Sequence, residues 1–322
     1  MSTTTTTSGR GDRTWLVAVA ASLWGISSLW RGPLAKEYPS LTIVFWEHLV
    51  LTVLTLWWLV PAVPRVVRAS TRTKVSVLVI GVGSSALATV MFTAAFRFGD
   101  PVTPQVLQKL QPLIAIALAA LLLGERLRRS YLWFVVPAMV GAWLLAFADP
   151  LGVTVSSAQA ALLAIGAAAL WAAGTVLGRA ASAELTFSDL TALRFALGFV
   201  ALAVTAMVTG TSLAVGGDAV VNIVLLALFP GLLALLLYYR ALGHTPASRA
   251  TLAELAFPLS AVVVGVAALG ARPTASQWVG FVMVLASVVG LALHEQRSRR
   301  PSVAVPDDAR EALGAHAGAT TP

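Results

Sequence analysis

Apolar runs bounded by charged residues, Gly or Pro recur along the chain at about 15–30, 40–61, 75–96, 101–123, 131–148, 158–178, 187–209, 219–239, 247–269 and 275–293. Each is close to the roughly 20 residues needed to cross a hydrocarbon core about 30 Å thick. The runs lack the alternation of a membrane barrel, and backbone groups in lipid must be paired within the segment, so the pattern predicts ten transmembrane helices. The Ser/Thr-rich residues 1–14 and the polar stretch 294–322 hold no such run and read as disordered tails. The run after the first tail reads as a retained helix rather than a cleaved signal.

Sliding the chain by 146 residues lays Ala95 on Ala241, Pro112 on Pro258, Leu113 on Leu259, Gly124 on Gly270 and Arg126 on Arg272. The chain then divides into two five-helix repeats, 15–148 and 158–293. Because five is odd, the second copy enters the membrane from the opposite face, the arrangement that lets a solute carrier exchange two mirror-related conformations about a midplane site. The predicted fold class is all-α integral membrane, with ten transmembrane helices as two inverted five-helix repeats.

Composition supports this reading: 58% of the 322 residues are hydrophobic and 11% charged, against roughly a quarter charged in soluble domains. The formal charge of +8 is spread between apolar runs and forms no single basic patch, so it sets topology and calls for no nucleic acid. One side collects Arg10, Arg13, Arg65, Arg68, Arg72, Lys74, Arg126, Arg128, Arg129, Arg179, Arg297, Arg299, Arg300 and Arg310; the other is expected to hold Arg31, Lys36, Arg240 and Arg249. Both termini are therefore expected in the cytoplasm, with the chain in the plasma membrane. There is no Cys, no metal-ligand cluster, no phosphate-binding Gly loop and no nucleophile elbow in the sequence, so no cofactor is expected and transport would draw on an ion or substrate gradient or be facilitated.

A charge at the bilayer centre costs several kcal/mol, about 3 or more, so ionisable residues inside spans are candidate sites. Glu47, His48, Lys109, Arg194 and Glu254 qualify, and the 146-residue shift lays His48 on Arg194 and Gln108 on Glu254. Gln105, Gln108 and Pro112 share one helical stripe; Thr251, Glu254 and Pro258 form its counterpart, which places a pathway between the two. Mid-helix prolines release a carbonyl that a polar cavity or neighbouring hydroxyl can satisfy; they are equally readable as packing kinks. Two readings of the charges stay open. Glu47 with Arg194 and Glu254 with Lys109 could be structural ion pairs. Alternatively Glu254 or Glu47 binds a cation or takes up a proton, with Lys109 or Arg194 holding a substrate carboxylate, which together would suit a zwitterion. His48 could relay protons or be satisfied by a neighbour, and since adjacent helical residues point about 100° apart, only Glu47 or His48 should face the cavity squarely. Trp24, Trp171, Tyr238 and Tyr239 could cage an organic solute, although most Trp in such a chain anchor or pack. Ser85, Thr89 and Thr93, four residues apart, read as helix packing.

The segment QPLIAIALAALLLGERL, Gln111 to Leu127, resembles the fourth-helix signature of EamA-type transporters of the drug/metabolite transporter superfamily, and LWG, Leu23 to Gly25, resembles the opening of their first helix. The resemblance spans about residues 15–293. It implies ten helices in two inverted repeats, a central cavity, and export or exchange of small metabolites, often amino acids or amphipathic compounds. Pro112 and Pro258 read as hinges, and Glu125 beside Arg126 matches the family motif as a helix-end or gate pair. The second copy has Ala271 in place of that Glu, and Glu47-His48 stands where many relatives carry Arg. The expected function is a secondary transporter of a small-molecule solute in the lipid bilayer, with proton coupling and a homodimer both open. The alternatives are a membrane enzyme on lipid-linked substrates, which would need clustered carboxylates or His at a face, and a non-transporting scaffold.

Overall fold

The computed structural model describes residues 13–98, 101–123, 129–242 and 253–298, and among these there are helices and turns but no strand. The helices are α1 Thr14–Gly25, α2 Ser28–Glu37, α3 Ser40–Leu54, α4 Leu56–Arg68, α5 Thr71–Ala95, α6 Val102–Leu107, α7 Gln111–Leu123, α8 Leu132–Ala146, α9 Val155–Ala181, α10 Phe187–Thr209, α11 Gly217–Ala241, α12 Ala256–Ala267 and α13 Ala275–Ser298. By length and apolarity α5, α9, α10 and α11 can each cross a membrane, and α3 with α4, bent by 84°, would make a fifth crossing. Three of the expected spans are divided: 15–30 falls in α1 and α2, 40–61 in α3 and α4, and 101–123 in α6 and α7.

Two breaks, that between α6 and α7 and that ahead of α12, follow from the backbone chemistry of proline. Pro112 has no N–H for the carbonyl of Gln108, and its ring displaces that carbonyl from the helical path. The chain responds with a tighter turn, Gln108–Leu110, in which the Gln108 carbonyl accepts from the Gln111 N–H. Ahead of Pro258 the Glu254 carbonyl accepts from the Phe257 N–H at 3.1 Å. Each released carbonyl thus accepts from the N–H of the residue before the proline, where the sequence had offered a polar cavity or a neighbouring hydroxyl. Two wider turns, Ile80–Leu87 in α5 and Ala227–Leu233 in α11, also fall at matching positions of the two halves under the 146-residue shift.

Packing relies on small residues, because lipid offers no hydrophobic drive between helices and close approach supplies the contact energy. Six alanines of α9, from Ala160 to Ala172, are buried against α5, α6 and α7. α1 lies on α12 and the second half of α11, α10 on α3 and α5, and α8 on α13. At the crossing of α1 and α12 only glycine fits: a side chain at Gly25 would collide with the Phe257 carbonyl and the Ser260 hydroxyl.

The halves are tied together at both ends of α10. At its start Glu184 accepts from the Ser70 N–H (2.8 Å), the Ser70 hydroxyl (2.6 Å) and the Thr73 hydroxyl (2.6 Å), closing the N-terminus of α5. Arg65 pairs with Asp189 at 2.8 Å beside it. Beyond its other end the Tyr38 hydroxyl accepts from Gly216 N–H at 3.1 Å, Thr42 donates to the Ser212 carbonyl and Trp46 to that of Leu213. Residues 38 and 184, like 70 and 216, are related by the same shift. Two placements correct the expected charge map. Arg240 shares the end of the N-terminal segment, where its carbonyl accepts from Arg13 at 3.3 Å. Arg31 is buried within α2, because after a turn at 26–27 the helix resumes and continues to Glu37, past residue 30 where the apolar run had been expected to stop. Arg249 lies outside the described residues.

The exposed Glu184 carboxyl is held down to about 2 by the Ser70 and Thr73 hydroxyls and the Ser70 N–H, which bond its charged form. A pKa lowered on folding means the contribution is complete above the unfolded value of 4.5 and fades as pH falls toward about 2. Glu184→Gln is expected to lower the thermal midpoint of the purified protein near neutral pH, and the gap to wild type to narrow at about pH 3. A gap of equal size at both would contradict the latch.

Candidate functional site

A cavity of about 660 Å³ lies among α1, α3, α5, the α6–α7 break, α9, α10, α11 and the start of α12. The first half contributes Trp24, Glu47, His48, Gln108, Lys109 and Pro112 to its wall, and the second half Trp171, Arg194, Tyr239, Glu254 and Pro258. Both Glu47 and His48 line it, Glu47 bonded toward α2 and His48 toward α5. Gln105 is placed elsewhere: it is fully buried, and its side-chain amide donates to the Gly25 carbonyl at 2.9 Å, pinning α6 to the end of α1. Glu125, Arg126 and Thr251 lie outside the described residues.

Glu47 does not meet Arg194. Its partner is Arg31, which the sequence had suggested was a loop residue. Arg31 Nη2 donates to both carboxylate oxygens at 2.9 and 3.0 Å, and Nη1 to the Thr93 hydroxyl at 2.5 Å. Both side chains are 6–7% exposed. In an environment this dry, each charge depends on the other.

His48 sits at the centre of a hydrogen-bonded chain. Its Nδ1 faces the Val44 carbonyl at 3.0 Å, so the proton sits there, and Nε2 accepts from the Ser85 hydroxyl at 3.0 Å. Ser85 in turn accepts a long bond, 3.5 Å, from Arg194 Nε. The room for this ring comes from Gly198 on α10, where a Cβ would stand 2.7 Å from His48 Cδ2. Ser85 and Thr89 line the cavity and Thr93 binds Arg31, so a stripe expected to serve helix packing supplies polar partners.

On the far side Glu254 accepts from the Tyr238 hydroxyl at 2.6 Å. Lys109 is within electrostatic reach of Glu254, and its Nζ stands 4.1 Å from the centroid of the Phe257 ring rather than in contact with the carboxylate. The aromatic residues form two walls. Trp24, Tyr238 and Tyr239 make one, with ring centroids 5.2 and 5.7 Å apart, while Trp171 packs at 5.2 Å on Phe92 in the other. Arg31 also lies over Phe92, at 5.8 Å. The arrangement can enclose a flat organic body between rings and present cations and hydroxyls to its polar groups.

A model of the EamA-like transporter family matches residues 14–147 and again 158–293. The riboflavin transporter ImpX of Fusobacterium nucleatum is 30% identical over 261 residues, covering 77% of this chain and 86% of that protein. The uncharacterized transporter YwfM of Bacillus subtilis is 27% identical over 224 residues, 66% of this chain and 71% of its own. The uncharacterized inner membrane transporter YicL of Salmonella typhimurium is 25% identical over 228 residues, 70% and 75% respectively. A solved crystal structure superposes with a TM-score of 0.60 on 89% of this chain and 99% of its own at 18% identity, a likeness of fold.

Removing one member of a buried ion pair strands the other charge, at roughly 3–5 kcal/mol, whereas replacing both with apolar side chains is often neutral. Arg31→Met and Glu47→Leu are each expected to destabilise the protein by that amount, and the double variant to recover most of the loss. Unfolding in mixed micelles measures this; additive losses would show the pair to be uncoupled.

Proposed function

The chain belongs to the EamA-like transporter family, and from that premise we propose that it is a secondary transporter, an exporter or exchanger, that carries a small organic metabolite through the cavity by alternating access. The observation that carries this reading is that both halves contribute equivalent positions to one cavity: Gln108 and Pro112 from the first, Glu254 and Pro258 from the second.

In this reading the ten spans are α1 with α2, α3 with α4, α5, α6 with α7, α8, and then α9 to α13 singly, as two inverted repeats over 15–148 and 158–293. The matched proline breaks, the matched wide turns and the paired contacts at the ends of α10 support it. The basic residues Arg13, Arg65, Arg68, Arg72, Lys74 and Arg240 then mark a cytoplasmic end in the plasma membrane. The chain does its work without covalent chemistry. Glu254 is the first candidate for coupling to protons: Glu47 is closed by Arg31, while Glu254 bonds one hydroxyl among the described residues and faces the cavity. The two aromatic walls suit a solute with a flat ring system, as does the similarity to a protein named a riboflavin transporter.

The test is reconstitution of the pure protein in liposomes, with uptake of labelled amino acids, amines and riboflavin followed with and without a pH gradient, beside Glu254→Gln. Flux that follows the gradient and falls to near the protein-free rate in the variant is expected. Flux of no compound by folded protein would overturn the reading, and gradient-driven flux unchanged in the variant would remove Glu254 from the coupling step.

A further inference from the structure

The cavity wall carries three cations, Arg31, Lys109 and Arg194, against two carboxylates, Glu47 and Glu254. Arg31 and Glu47 are bonded to one another in a dry setting. Glu254 accepts from Tyr238 and lies within the field of Lys109. Arg194 is left over. Among the described residues its guanidinium meets no carboxylate: Nε donates the long bond to Ser85, the group lies 5.5 Å from the Phe195 ring centroid, and it lines the cavity. A guanidinium offers five N–H donors in a fixed fork, and on this half-buried stretch of cavity wall the donors and the charge both suit an anion. The Ser85–His48–Val44 chain holds the Nε side, which leaves the Nη pair, the side suited to a carboxylate or phosphate, without a partner among the described residues.

Building on the transporter reading, we propose that the substrate is a flat organic anion whose carboxylate or phosphate is bound by Arg194 while its ring system lies along the aromatic walls. A zwitterion fits less well. Its ammonium would need an acceptor, and Glu47 is already bonded by Arg31 while Glu254 is shared between Tyr238 and the field of Lys109.

Binding, read as the shift in thermal midpoint of the purified full chain in nanodiscs, separates this from the transport reading. The probes are matched in shape and differ in charge: indole-3-acetate, indole-3-acetamide and tryptamine, with flavin mononucleotide against riboflavin. Wild type is expected to bind the anion of each set about tenfold or more tighter than its neutral partner, a ratio of the size of one charge-assisted contact. Arg194→Gln should abolish that preference and Arg194→Lys should keep part of it. A folded wild type that binds neutral and anionic partners alike, or no anion of the set, overturns the proposal, as does a preference that survives in Arg194→Gln. If the anions bind through Arg194 but none crosses the membrane, the transport reading fails and the anion site stands. Gradient-driven flux of the neutral compounds, indifferent to Arg194→Gln, overturns the anion site and leaves the transport reading standing.

Discussion

Inside hydrocarbon a backbone carbonyl without a donor costs several kcal/mol, because no water can replace the missing bond. The helix interruptions among the described residues are accordingly closed by groups nearby. The two proline breaks are closed by the amide of the residue just before the proline. The sharp bend between α3 and α4 is closed differently: the Thr55 hydroxyl donates to the Leu51 carbonyl at 2.7 Å and the Trp57 indole to that of Leu54 at 2.9 Å. Irregular backbone needs polar groups about it, and polar groups in a membrane need each other. Gln108 and Glu254, whose carbonyls the prolines displace, are also the residues whose side chains reach the cavity.

Buried charge is under the same constraint, with more free energy at stake per group. Arg31 and Glu47 pair with one another and Arg31 also bonds Thr93, so this corner of the cavity is held by mutual need even though Arg31 Nε has no partner among the described residues. Arg194 and Lys109 instead lie against aromatic rings, Phe195 and Phe257. A ring face stabilises a cation by about 0.5–2 kcal/mol and leaves its N–H donors unpaired, which a carboxylate would not. These two cations are therefore the ones whose surroundings would change most on binding of the proposed anion, while the Arg31 pair is already matched.

The continuity of the apolar runs made the helices legible from sequence, and the positions of Pro112 and Pro258 marked where they would break. The wide turns at 80–87 and 227–233 are related by the same 146-residue shift, though nothing in their composition announced them. Partners were harder to read. Arg31 was missed because a helix that pauses at 26–27 and resumes looks, in composition, like one that ends before an Arg. Gln105 was assigned to the cavity by extending an unbroken stripe, but the tight turn at 108–110 interrupts that geometry, and Gln111 lines the wall instead. The Ser85, Thr89, Thr93 stripe has the spacing shared by packing faces and hydrogen-bonding faces alike; only the presence of His48 and Arg31 opposite distinguishes them.

The likeness of the two halves ends at the side chains, and that difference has an energetic meaning. Equivalent backbone positions carry Gln108 and Glu254, His48 and Arg194, Tyr38 and Glu184. At one end of α10 a carboxylate gathers three donors and an Arg65–Asp189 pair lies alongside; at the other, Tyr38, Thr42 and Trp46 make three neutral bonds. Neutral bonds contribute about 1 kcal/mol each and bonds to a charged group more, so the end built on Glu184 and the buried Asp189 is the stronger of the two. A solute shifts such a balance only by its differential contacts with the two states. In the proposed alternating-access cycle, the direction would then come from the asymmetric residues of the cavity.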